Sequence, residues 1–313
     1  MRKTRIKCAV IGVGYLGSLH AQKYAMLPEA ELIGVVDADF KRAEEIAARH
    51  NTVAFRSYEE LFGKVDAVSI ATPTAYHHEA GMAFLKRGVD CLIEKPVATT
   101  TAEARSLVDE AAASKAVLQV GHIERFNAAV AALAGRLNDV SFIHARRLSP
   151  FPNRSTDVDV VLDLMIHDID IVLSIVRSEV TSVDAAGVPL VSRMTDFASA
   201  RVAFANGCKA DIVASRVSNE RERKLIVFQP GQYFTVDCAT QRLSVSRAAQ
   251  GGAPSVTEED VSIEKRDALL EEIRAFLQSS ATRQRPLVTG EDALAALSVA
   301  EAIAASIARN AAG

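Results

Sequence analysis

The sequence predicts an α/β protein of two parts: a parallel, doubly wound sheet at the N-terminus, then an α+β domain built on a largely antiparallel sheet. Three observations predict it. The chain has 313 residues, about twice a typical domain of roughly 150. From residue 6 to about 120, short apolar runs alternate with amphipathic segments, the pattern of a parallel sheet with helices on its faces. After about 140, strand-like segments follow one another directly. The boundary is placed at 120, giving domains 1–120 and 121–313.

In order, the first part reads as strands at 6–11, 31–37, 67–72, 91–94 and 117–121. Helix-like segments fall at 17–27, 40–50, 57–62, 76–87 and 100–114. The second part opens on a strand at 141–148 and a strongly apolar helix at about 158–177. Strands at 197–205, 208–217, 223–229, 232–238 and 241–247 follow. Asn206-Gly207 and Pro230-Gly231 mark turns between them. Gln250-Gly251-Gly252-Ala253-Pro254 reads as a loop, and helices at 266–281 and 290–309 close the chain.

Composition narrows the function. Apolar residues make up 49% and charged residues 24%, enough for an ordinary core without disulfide or metal staples. The net charge of -3 gives no electrostatic case for nucleic acid or an anionic membrane. Cys8, Cys91, Cys208 and Cys238 are scattered, which argues for reduced thiols in a cytoplasmic protein with no metal site. The basic start Met1-Arg2-Lys3-Thr4-Arg5 is followed by a short, glycine-broken apolar run; that is neither a secretory signal nor a membrane span.

The chemistry begins at Gly12-Val13-Gly14-Tyr15-Leu16-Gly17. This GxGxxG follows an apolar strand and opens a helix, as in the dinucleotide-binding Rossmann fold. Gly12 permits the tight turn, Gly14 the approach of a pyrophosphate, and Gly17 close helix packing. The helix N-terminus offers free N–H groups and a positive dipole end. Asp37 ends the second strand, 20 residues after Gly17, where a carboxylate meets the adenosine ribose hydroxyls. That carboxylate repels a 2′-phosphate, and Ala38 follows it rather than arginine, so NAD is favoured over NADP. Lys41 and Arg42 keep NADP as the alternative.

Glu94-Lys95-Pro96 stands at the carboxyl end of a strand in the same sheet, where open α/β sheets bind ligands. Lys95 there has two readings: an ammonium that stabilises charge on a reacting oxygen, or a surface lysine in a turn. On the apolar helix, Asp163, His167, Asp170 and Ser174 fall at i, i+4, i+7 and i+11, a narrow polar stripe. One turn apart, Asp163 can orient the His167 imidazole and stabilise its protonated form. The alternative is a stripe that faces bulk solvent. In Gly121-His122-Ile123-Glu124-Arg125-Phe126-Asn127, Arg125 and Asn127 suit phosphate or sugar hydroxyls; a hinge between domains explains the polarity equally well.

At these residues the sequence resembles the glucose–fructose oxidoreductase / inositol dehydrogenase / rhizopine-catabolism (Gfo/Idh/MocA) family, over essentially the whole chain. The resemblance runs through residues 12–17, Ala71-Thr72-Pro73-Thr74 with His77, Glu94-Lys95-Pro96, Asp163 four before His167, and Val288-Thr289-Gly290-Glu291-Asp292. It implies that Tyr15, Leu16, Thr72, Pro73, His77, Glu94 and Lys95 join the glycines and Asp37 around the cofactor. It also implies that Lys95, Asp163 and His167 surround the carbinol carbon that yields hydride. The stretches 121–127 and Arg147-Leu148-Ser149-Pro150-Phe151-Pro152 resemble the branch acting on UDP-N-acetylglucosamine-type sugar nucleotides. In that branch proline commonly follows the position of Asn127; Ala128 does so here. With Arg125, Asn127, Arg146 and Arg147 the resemblance suggests a diphosphate-bearing substrate, since arginine forks fit phosphate.

The expected activity is therefore oxidation of a ring hydroxyl of a sugar, with a nucleotide sugar as substrate. A polyol or free-sugar dehydrogenase is the alternative within the class. A silent NAD-binding sensor is the alternative outside it, and the presence of Lys95, Asp163 and His167 together argues against it. The alternating pattern in 197–204 and 209–217 predicts a sheet face covered by a second copy, in a dimer or tetramer.

Overall fold

A computed structural model describes residues 5–151, 158–249 and 255–311. Within it the chain forms two compact units. One runs to Ile123 and takes in Asp267–Leu294; the other is Glu124–Arg266 with the remainder from Ala295. A single boundary at 120 is thus not the whole division, because the segment from Asp267 returns to the first unit. The start 1–4, Pro152 and the loop at 250–254 lie outside the described residues.

The first unit begins with β1 (Ile6–Ile11), α1 (Tyr15–Met26), β2 (Ala30–Val36), α2 (Phe40–Arg49), β3 (Val53–Phe55) and β4 (Ala67–Ile70). It continues with α3 (His77–Leu85), β5 (Asp90–Glu94), α4 (Thr101–Ser114) and β6 (Leu118–Gly121). The sheet order is β3-β2-β1-β4-β5-β6, and every pairing is parallel. β1, β4, β5 and β6 are buried nearly throughout, hence their continuous apolar runs. Two features were not anticipated. β3 is a three-residue edge strand, too short for a visible period. The helix expected at 57–62 is a 3₁₀ turn, Tyr58–Leu61, held by a capping box between Ser57 and Glu60.

The second unit carries α5 (Ala128–Ala134), β7 (Phe142–Leu148), a π-helical turn (Val161–Met165) and α6 (Ile166–Val176). Seven strands follow: β8 (Val180–Val188), β9 (Phe197–Phe204), β10 (Lys209–Ser215), β11 (Glu222–Gln229), β12 (Gln232–Asp237), β13 (Arg242–Ala248) and β14 (Val256–Val261). The chain ends with α7 (Ala268–Thr282) and α8 (Gly290–Ala311). The sheet order is β14-β13-β12-β11-β7-β10-β9-β8. All pairings are antiparallel except β10 with β7. The two outermost strands, β8 and β14, escape the sequence reading because edge strands are largely exposed and lose the apolar alternation. Gly207 and Gly231 turn the predicted hairpins with φ of 88° and 78°.

In the first unit Cys8, Val10, Val35 and Leu92 of the sheet pack with Leu269, Ile273 and Phe276 of α7, which is why α7 belongs there. In the second unit Ile143, Ala145, Val202, Ile212 and Val227 of the sheet pack with Val130 of α5, Ile169 and Val172 of α6, and Ile303 of α8. The four cysteines are free and buried. Among the described residues, no helix is long and apolar enough to cross a membrane.

Candidate active site

The glycine loop is shaped by backbone contacts. Gly12 has φ +82°, and a Cβ on it would lie 2.8 Å from the Ala71 carbonyl oxygen. A Cβ on Gly17 would lie 1.8 Å from the Gly12 carbonyl oxygen, so only glycine lets α1 close on β1 here. A Cβ on Gly14 would meet nothing within 4 Å; its surroundings are open, as an approaching phosphate requires. Gly14 is the N-cap of α1 and no side-chain hydrogen bond caps the helix, the arrangement in which a helix N-terminus receives an anion. Tyr15 is exposed, whereas Leu16 packs on the core.

Asp37 stabilises this loop from β2. One carboxylate oxygen accepts the Val13 N–H at 2.8 Å and the other the Asp39 N–H at 2.9 Å. The Arg42 guanidinium sits 3.4 Å from the second oxygen. At the end of β4, the Thr72 methyl flanks Gly12, and the buried Thr72 hydroxyl has no partner among the described residues. Pro73 beside it is exposed. An open glycine, uncapped amides and an orphaned hydroxyl together fit a dinucleotide phosphate. His77 is buried and holds two strand ends, with Nδ1 2.8 Å from the Pro96 carbonyl oxygen and Nε2 2.8 Å from that of Thr72. Burial pushes its imidazole pKa down; the two carbonyls and Glu94 work against that shift.

Glu94 is a core residue. Its Oε1 lies 3.0 Å from His20 Nε2, and its Oε2 accepts the Lys95 N–H at 3.3 Å. Gly121 on β6 gives it room: a Cβ there would come within 2.7 Å of the carboxylate. Lys95 follows, half-buried, with a cis peptide to Pro96.

In the second unit the predicted apolar helix starts as a π-helical turn, and Asp163 lies within it. Single π turns inside helices recur at functional sites. Asp159 accepts the Leu162 N–H at 2.9 Å and helps start the turn. Asp163 and His167 are half-buried. Asp170 faces Arg125 at 3.4 Å, so the third position of the predicted stripe is taken up by an ion pair. The entry to the helix is tied from β10: Arg216 donates to the Val158 carbonyl at 2.6 Å and pairs with Asp196 at 2.8 Å, both side chains fully buried.

The four predicted phosphate contacts do not converge. Period-two alternation on β7 puts Arg147 on the covered face with Ile143 and Ala145. There it grips Asp168 bidentately at 2.8 and 3.0 Å and Glu124 at 2.9 Å. Burial opposes the Arg147 charge, but Asp168 and Glu124 more than offset it. Arg146 points to the opposite face, 3.4 Å from Glu222. Asn127 is buried as the N-cap of α5. It accepts the Ala129 N–H at 3.1 Å and donates to the Cys238 carbonyl at 2.8 Å. Ala128 takes the first helical position, where proline is tolerated but not needed.

The sequence reading missed His20, Asp196, Arg216 and Glu272. Two of these left a signal. His20 falls in the stripe Gly17, His20, Ala21, Tyr24 of α1, and Glu272 in the stripe Leu269, Glu272, Ile273, Phe276 of α7; a polar residue on an apolar stripe marks a buried polar contact.

Residues 6–122 match the oxidoreductase family with an NAD-binding Rossmann fold, and residues 126–244 match the GFO/IDH/MocA C-terminal domain. The chain belongs to the GFO/IDH/MocA family of oxidoreductases. It is 41% identical over 300 residues to the UDP-N-acetylglucosamine 3-dehydrogenase of Acidithiobacillus ferrooxidans, covering 93% of this chain and 95% of that protein. A solved structure of UDP-N-acetylglucosamine 3-dehydrogenase from Acidithiobacillus ferrooxidans superposes with a TM-score of 0.93 at 38% identity, over 97% of this chain and 98% of the other. The scyllo-inositol 2-dehydrogenase (NAD(+)) of Bacillus subtilis is 26% identical, covering 94% of this chain and 92% of its own.

Proposed function

We propose that the protein is an NAD-dependent dehydrogenase that oxidises the C3 hydroxyl of UDP-N-acetylglucosamine to a ketone. The observation that carries the reading is the 41% identity, along nearly the full length of both chains, to a UDP-N-acetylglucosamine 3-dehydrogenase. Lys95, Asp163 and His167 are all present, which supports chemistry rather than cofactor sensing.

The cofactor, when bound, would supply the hydride-accepting chemistry. The chain's own residues manage charge and protons. Gly12, Gly14, Tyr15, Leu16, Gly17, Asp37, Thr72, Pro73 and His77 form the proposed cofactor side. The Lys95 ammonium hydrogen-bonds the reacting oxygen and stabilises negative charge on it. The His167 imidazole takes the hydroxyl proton, and the Asp163 carboxylate stabilises the imidazolium that results. Arg125 is proposed on the nucleotide side. Asp37 supports NAD over NADP, because a 2′-phosphate would meet its carboxylate.

Self-association is part of the proposal. On the face of the second sheet away from the helices, Phe142, Phe228 and Tyr233 form an aromatic cluster with centroids 6.1 and 5.2 Å apart. A second copy is the occupant we propose for that face. Four free, buried cysteines support a reducing cytoplasm.

Initial rates with NAD+ test the reading. UDP-N-acetylglucosamine should be turned over, and free N-acetylglucosamine and inositols far less; equal turnover of inositol would replace the proposal with a polyol dehydrogenase. His167→Ala should lower the rate about 10²–10⁴-fold while calorimetry still detects NAD+ binding.

A further inference from the structure

The first unit buries a carboxyl group that this chemistry does not use. Glu272, on α7, is fully buried, and neither of its oxygens has a hydrogen-bond partner among the described residues. One oxygen of Glu272, one of Glu94 and a ring nitrogen of His20 all lie within 4.8 Å of one another. The other two members are already engaged. His20 Nε2 contacts Glu94 at 3.0 Å and its Nδ1 meets the Ser69 hydroxyl at 3.1 Å. That hydroxyl is in turn 2.7 Å from the Tyr24 hydroxyl. From β6, Gln119 donates to the Glu272 backbone carbonyl at 3.1 Å and leaves the Glu272 carboxyl alone.

The titratable groups around the Glu272 carboxyl are therefore His20 and Tyr24 from α1 and Glu94 from β5. Two ionised carboxylates here would share one imidazole in a medium that cannot solvate them, and an isolated buried charge neutralises instead. Burial first, and the Glu94 charge second, raise the Glu272 pKa well above the ordinary carboxyl value.

We propose that Glu272 is a neutral carboxylic acid in the folded protein. As a positioning residue, it leaves Glu94 as the single negative charge of the cluster and so fixes the Glu94–His20 contact at the strand end that carries Lys95. Only the last link, to Lys95, rests on the function proposed above.

Infrared difference spectroscopy reads the proton directly. The parent at neutral pH should show the C=O stretch of a protonated carboxylic acid, lost on titration to alkaline pH and absent in Glu272→Gln. Because the parent alone supplies the titration, the test survives a variant that does not fold. Thermal unfolding supplies the second reading. The folded state holds a proton that the unfolded chain releases above its ordinary value of 4.5. Stability must therefore fall as pH rises from that value through the raised one. Glu272→Gln cannot ionise, so its Tm should exceed the parent's at alkaline pH by roughly 2–4 °C for each pH unit over which the parent loses stability. The parent's kcat should fall only as pH passes through the raised value, where the folded carboxyl ionises, and that of Glu272→Gln should not.

Absence of the band with parallel Tm curves would overturn the neutral acid, as would a stoichiometric divalent metal in the purified parent that Glu272→Gln loses. Band and Tm curve as expected, with identical kcat profiles, would overturn the positioning role. Neither the band nor the Tm curve involves substrate, so failure of the dehydrogenase reading is separately visible.

Discussion

Arg216 and Asp196 of the second unit lie fully buried, their charges 2.8 Å apart; Glu272 of the first unit lies equally buried, its carboxyl without a hydrogen-bond partner among the described residues. The second unit matches its buried charges atom by atom. Asp196 also takes three backbone amides, from Leu190, Val191 and Ser192, at 2.7 to 2.8 Å. Burial works to raise its pKa; the Ser192 hydroxyl and these amides outweigh that and hold the carboxyl well below its usual range. Arg147, Asp168 and Glu124 form a second matched set. The Glu272 cluster of the first unit, as proposed above, instead lowers its charge count. The difference teaches that buried polarity has two stable forms, and that they answer oppositely to loss of a charge.

The largest expected effect breaks the matched form. Removing one partner of a buried ion pair leaves the other uncompensated, at about 3–5 kcal/mol. Arg216→Met and Asp196→Ala should each destabilise on that scale by denaturant unfolding, and the double variant should cost less than the two added. Glu272→Gln, which removes a charge site in the other unit, should not destabilise. Because Arg216 also holds the Val158 carbonyl, Arg216→Lys should lower kcat more than NAD+ affinity. If the Arg216 and Asp196 variants cost under about 1 kcal/mol, the contrast between the units does not hold.

This contrast also separates what the sequence reveals from what it hides. The parallel sheet, the glycine loop and the strand end before Lys95 are legible because each is local: a strand run, a GxGxxG, a motif beside a proline. The hairpins at Asn206-Gly207 and Pro230-Gly231 are legible for the same reason. The partners of buried charges are not, since Arg216 and Asp196 are 20 residues apart and Arg147 and Glu124 are 23 apart. The π-helical turn around Asp163 is equally hidden, because residues 158–177 have the apolar character of an ordinary helix. The return of α7 to the first unit rests on which core its apolar stripe fits, and periodicity shows the stripe but not its partner.

Asn127 gives the next, smaller test. The sequence offered it as a sugar or phosphate contact, whereas its side chain caps α5 and donates to the Cys238 carbonyl. Loss of an N-cap costs about 0.5–2 kcal/mol, and a buried carbonyl left without its donor adds about 1–3 kcal/mol. Asn127→Ala should therefore destabilise by a few kcal/mol while KM for UDP-N-acetylglucosamine changes little. A large rise in KM at unchanged stability would return Asn127 to the substrate.

The smallest effect concerns the cofactor and tests charge at the rim of the first unit. Arg42 lies 3.4 Å from Asp37 and 3.5 Å from Asp39, with about half of its side chain exposed. Asp37 is held by the Val13 and Asp39 amides; on the cofactor assignment proposed above, its fixed carboxylate is what a 2′-phosphate would meet. Arg42 partly cancels the repulsion between the two from the solvent side. Exposed pairs of this kind contribute about 0.2–1 kcal/mol, which corresponds to roughly a 1.4- to 5-fold change in affinity. Arg42→Ala should therefore weaken NADP+ relative to NAD+ by that factor, read by calorimetric titration of both cofactors at low salt, and the gap should narrow as salt screens the charges. Asp37→Asn should move the ratio the other way, by removing the repulsion. Tighter binding of NADP+ than NAD+ to the parent protein would overturn the cofactor assignment, and equal losses of both cofactors in Arg42→Ala would show that Arg42 takes no part in the choice.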